Sequence, residues 1–131
     1  GQGLDIALVQ LEQKTWLQNQ QSKNYTISTS RWIGDFVDPV TYLEVHQTGG
    51  GYNFNGWSDP RYDELLRQAA VAPNAAARHE LFQQAEALLL DAAPSVPLFF
   101  GARLYLMQPG VQNWSPALLG LHRYGEVQLA R

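Results

Sequence analysis

The 131-residue chain contains no cysteine, which excludes disulfides, thiolate metal sites and a thiol nucleophile. Reducing cytosol and a cysteine-poor exported protein both fit that absence. Positive charge is sparse as well: nine Lys and Arg are scattered singly and the net charge is −3, so no basic face exists for a phosphate backbone and direct nucleic-acid binding is not expected. No apolar run approaches the roughly 20 residues needed for a membrane-spanning helix. Histidine occurs only at His46, His79 and His122, and His79-Glu80 lacks the second histidine of a helical zinc motif. No metal or other cofactor is expected. A Gly-Xaa-Ser-Xaa-Gly nucleophile elbow is missing too.

What is present is a globular composition, 45% hydrophobic, in the length range of one domain. Residues 4–11 are apolar on both faces, as expected of a central strand covered by helices. Helix formers around Trp16 and Leu17 follow over 12–21, with Trp16 in the core, and Ser22-Lys23-Asn24 breaks the pattern before a second strand over 25–30. The glycosylation pattern Asn24-Tyr25-Thr26 falls at that strand's start and is common by chance.

The chain is organised around Arg31-Trp32-Ile33-Gly34-Asp35-Phe36-Val37-Asp38-Pro39, where a strand should end and a helix begin. Ligands of open α/β sheets gather at such ends. Asp38 before Pro39 reads as a helix N-cap, which leaves Asp35, beside a glycine that admits close backbone approach, without a structural duty. Trp32 is either core or the wall of a pocket.

A short helix over 40–46 should end at Gly49-Gly50-Gly51, a loop that no Lys-Ser or Lys-Thr follows and that is therefore assigned no phosphate. Asp59-Pro60 repeats the cap-then-proline device before an apolar face of Tyr62, Leu65, Leu66, Ala69 and Ala70. Asn74 caps a second helix whose stripe is Leu81, Ala85, Leu88 and Ala92, flanked by Phe82 and Leu89 and stopped by Pro94. The short connection makes the pair a hairpin. Strands are expected over 95–100, 104–107 and 126–129, and Trp57 and Trp114 should anchor loops.

Taken together, three blocks resemble the extracellular solute-binding proteins of family 5, which serve oligopeptide, dipeptide and nickel ABC importers. They are Trp32 to Pro39 with Leu43 and Asn53; Asp59-Pro60-Arg61-Tyr62-Asp63-Glu64-Leu65-Leu66; and the run Ala69, Arg78, Leu81, Ala85-Glu86, Leu89 and Ala93-Pro94-Ser95-Val96-Pro97-Leu98. The resemblance covers nearly the whole chain and implies an α/β, type II periplasmic-binding-protein-like C-terminal lobe fragment, with a mixed sheet flanked by helices and a helical hairpin. The start at Gly1, without initiator Met or signal pattern, agrees with a piece of a longer protein. On this reading residues 1 to about 103 belong to the second lobe, and about 104–131 return toward the first.

The family likeness further implies capture of a peptide or a small cationic-ended solute, with Asp35 pairing with the ligand α-ammonium. Arg31 and Ile33 would offer backbone contacts, Gly34 close approach and Trp32 the wall. Arg31 matches no family position that holds a ligand carboxylate. Expected partners are ABC-importer membrane subunits, and the expected location is periplasmic or extracellular, lipid anchoring included as an option. Enzymatic activity is not expected, and a small hydrolase using Asp35 and Asp38 would need turnover that Asp35→Asn abolishes. The runner-up is a ligand-sensing lobe of a transcription regulator with the same fold, which an upstream helix-turn-helix rather than a secretion signal would mark.

Overall fold

The computed structural model describes residue 3 and residues 5–130. Helices dominate: α1 (Gln13–Gln21), the four-residue α2 (Val40–Leu43) continued by a 3-10 turn (Glu44–His46), α3 (Pro60–Ala70) and α4 (Ala75–Ala92). A two-stranded antiparallel sheet, β1 (Val111–Gln112) with β2 (Gln128–Leu129), closes the chain, Val111 facing Leu129 and Gln112 facing Gln128.

The helix starts follow from local chemistry. The Asp59 carboxylate accepts the Arg61 amide at 2.8 Å with Pro60 in the first turn, and Asn74 Oδ1 accepts the Ala77 amide at 2.9 Å. Glu12 caps α1 by accepting from the Lys14 and Thr15 amides. At the other end of α4, Ala93 takes a left-handed conformation (φ 47°) and Pro94 forbids continuation.

The two long helices pack against each other as the predicted hairpin and carry the core: Tyr62, Leu66 and Ala69 from α3, Phe82, Ala85 and Leu89 from α4, and Leu43 from α2. Trp57 packs edge-on against Tyr62 with ring centroids 5.0 Å apart. Relative to the sequence reading, the α4 stripe is rotated: Leu81 and Leu88 are half-buried and Ala92 is exposed, while Phe82 and Leu89 lie inside. Leu65 of α3 is half-buried and Ala70 exposed. The narrow hairpin contact selects the residues aimed at the partner helix and leaves the flanks of each apolar face outside it.

The strand expectations fare differently. No strand forms among the described residues of 4–11, 25–30, 95–100 or 104–107, and Leu4 itself lies outside them; of 126–129, only Gln128–Leu129 pairs. Those runs stay largely exposed, with Leu8 94% and Leu106 104% accessible. A strand exists only when a neighbouring strand takes its backbone groups, and apolar patterning marks a candidate without supplying that neighbour. Trp16, expected in the core, is half-buried and instead donates its indole N–H to the Thr29 carbonyl at 3.2 Å.

Candidate ligand-binding site

The block from Trp32 to Asp35 lies on the first turn of α2. Thr41, wholly buried, meets it twice: its carbonyl accepts the Trp32 indole N–H at 2.6 Å, and its Oγ1 accepts the Asp35 amide at 3.1 Å. Beside it the Gly34 amide donates to the Tyr42 hydroxyl at 3.3 Å. Gly34 is needed here for space, because a Cβ would come within 2.9 Å of the Thr41 γ-methyl. Gly34 is buried, whereas Asp35 is exposed.

The two acidic side chains of the block divide their work. Asp38 Oδ1 accepts the Val40 amide at 2.9 Å, and the following Pro39 already has helical angles (φ −57°, ψ −29°), so Asp38 is the N-cap the sequence suggests. The same carboxylate takes both guanidinium arms of Arg78 from α4, at 2.5 and 3.0 Å, and Arg78 in turn lies over the Phe82 ring at 4.5 Å. That guanidinium holds the Asp38 carboxyl below its ordinary range. The Asp35 carboxylate, by contrast, takes no hydrogen bond and no ion pair among the described residues. Of the two acidic side chains it is the one without a partner among the described residues.

Trp32 is both anchored and open. It is half-buried, its indole N–H is satisfied by Thr41, and Tyr52 meets its ring edge-on at 4.9 Å, with Phe54 6.2 Å beyond. The triple-glycine loop delivers Tyr52 there, with Gly49 in a left-handed conformation (φ 71°). Below that loop Asn53 is buried and does what a helix cannot. Its amide nitrogen reaches the carbonyls of His46, Gln47 and Trp57, and its oxygen accepts the Gly56 amide. Arg31 and Ile33 are exposed, and among the described residues no backbone hydrogen bond engages either. A cleft of about 300 Å³ lined by Lys23, Thr48, Gly49, Asn53 and Trp57 lies elsewhere, with no residue of the Trp32 to Asp35 block in its wall.

All five predicted site residues, Arg31, Trp32, Ile33, Gly34 and Asp35, thus form one continuous segment seated on α2. The sequence reading missed its supports, Thr41 and Tyr42, and the aromatic neighbour Tyr52. Thr41 carried a faint signal: a β-branched polar residue inside a short helix needs a partner for its hydroxyl or a reason to be buried.

No protein-family model matches the chain. It is 34% identical over 111 residues to the dipeptide-binding protein DppE of Bacillus subtilis (strain 168), a match covering 85% of this chain and 20% of that protein. Among solved structures, the periplasmic murein tripeptide binding protein MppA in its unliganded open form superposes with a TM-score of 0.68 at 29% identity, over 70% of this chain and 18% of that one. The pheromone receptor PrgZ matches in fold over 99% of this chain and 25% of its own length, with a TM-score of 0.80 at 24% identity. The chain spans about a fifth of the length of the curated relatives it matches. Its fold is that of a lobe fragment of the periplasmic-binding-protein-like type, and over this length the chain is similar to peptide-binding members of the extracellular solute-binding proteins of family 5.

Proposed function

We propose that this chain supplies one side of the binding site of a peptide-capturing protein that feeds an ABC importer, and that Asp35 pairs with the α-ammonium group of the peptide. The observation that carries the reading is the division of labour between the two carboxylates: Asp38 is consumed by its cap and by Arg78, while Asp35 is held by its backbone with its charge unspent. A carboxylate placed so, once a closing partner surface excludes water, gains more from a charge-assisted bond to ammonium than it would in open solvent. Arg31 and Ile33 are exposed residues whose backbone groups no backbone hydrogen bond engages among the described residues, which suits pairing with an extended peptide and gives affinity that tolerates many side chains. Trp32 forms the wall beside it.

In this reading residues up to about 103 belong to one lobe and those beyond return toward the other, which contributes the remaining contacts. The protein then works outside the cytoplasmic membrane and delivers its cargo to the importer's membrane subunits. Its role is binding without catalysis. Native mass spectrometry of the complete protein, purified without denaturation, tests the substrate class: retained masses should be those of short peptides with free amino termini. A retained ligand without a cationic amine would contradict the assignment.

A further inference from the structure

We propose that Thr41 is the positioning residue of the Asp35 site: its buried hydroxyl fixes where the ligand's counter-charge stands, with Tyr42 assisting. This rests on the ammonium reading and deepens it. Asp35 is exposed, and its side chain has no intramolecular partner among the described residues to hold it. What fixes it is its own backbone, and that backbone is pinned at adjacent amides: Gly34 to the Tyr42 hydroxyl and Asp35 to Thr41 Oγ1. The Thr41 carbonyl pins the Trp32 indole as well, so wall and charge share one anchor.

The anchor is itself buried and tied to the helical hairpin. Thr41 has no accessible surface, and its helix is tied by Asp38 to Arg78 on α4 and by the Leu43 carbonyl to the Tyr62 hydroxyl on α3. A charge–charge contact depends steeply on distance and orientation once water is excluded, so an amide freed from its acceptor costs binding selectively for ligands that use the charge. A Thr41 role confined to folding would weaken all ligands alike.

The test uses the complete protein and two probes, a randomised pool of free tripeptides and the same pool N-acetylated, with binding read by competition titration and folding by urea midpoint. Thr41→Val keeps the methyl that lies against Gly34 and replaces the hydroxyl by a second methyl; it should weaken the free-amine pool about tenfold and leave the acetylated pool unchanged. Thr41→Ser, which keeps the hydroxyl, should bind as the parent does. If Thr41→Val does not fold, Tyr42→Phe on the exposed neighbour carries the test, with a smaller loss in the same sense. Equal weakening of both pools, no weakening, or a Ser variant as impaired as Val overturns the role of Thr41 while Asp35→Asn still abolishes the preference for free amines. If Asp35→Asn leaves that preference intact, or the parent shows none, the ammonium reading itself fails and this inference falls with it.

Discussion

Asp35 and Asp38 sit three residues apart on one loop, yet their surroundings differ: the Asp38 carboxylate is paired, and among the described residues that of Asp35 is not. The Asp38 carboxylate is 26% exposed, and its partner Arg78 34%, so the pair is partly shielded and joins the site loop to α4. Because Asp38 is held below the usual carboxylate range in the folded state, its contribution is fully present above the ordinary carboxyl pKa of about 4 and is lost as pH falls through the lower folded value. Asp38→Asn should therefore have a lower urea midpoint than the parent at neutral pH. The gap should close as the pH is brought from about 5 to about 2. A gap constant across that range would mean that the ion pair does not stabilise the fold. In the candidate site, the unpartnered state of Asp35 was legible in the sequence by elimination, since Asp38-Pro39 announces a cap and leaves the other acid idle. Thr41 and Tyr42 were not, because what they do is accept from or donate to groups of the Trp32 to Asp35 segment brought near by a turn, and no residue pattern marks that.

The helices are the elements the sequence announces most clearly, since cap, proline and apolar period are all local. Asn74→Ala should cost about 1 kcal/mol of stability by removing the acceptor for the Ala77 amide, read as a lower urea midpoint with an unchanged slope. Tyr62→Phe is the sharper test of packing. Tyr62 is wholly buried and its hydroxyl donates to the Leu43 carbonyl at 2.6 Å, the bond that fastens α3 to the end of the helix under the site. Removing it takes away a hydrogen bond made in the core and should cost about 1 kcal/mol. An unchanged midpoint would show that the α2 seat is not held from α3. Strands were less legible than helices for a physical reason. The apolar runs at 4–11 and 95–100 have the composition of buried strands, but a strand is completed by a neighbour that can be far away in the chain, and composition does not say where that neighbour is.

At the scale of the molecule, the core is small. Among the described residues, seven buried apolar ones cluster around the helical hairpin, while Phe99, Phe100, Leu104 and Leu106 are 86% to 104% exposed. Large apolar side chains left this exposed are available to bind other apolar surface. Residues 1–131 produced alone should accordingly bind a hydrophobic-surface dye strongly and, on the proposed reading that they supply one side of the site, show no saturable tripeptide binding at micromolar concentration. Micromolar binding by the isolated chain would mean that the site is complete within it. The central claim is that Asp35 meets the ligand ammonium, and a double-mutant cycle on the complete protein tests it most directly: parent and Asp35→Asn, each titrated calorimetrically with a free-amine peptide and its N-acetylated form. Asp35→Asn should weaken the free-amine peptide by about 2–5 kcal/mol and the acetylated one far less, giving a coupling energy of that order. A coupling energy near zero would place Asp35 outside the ammonium site.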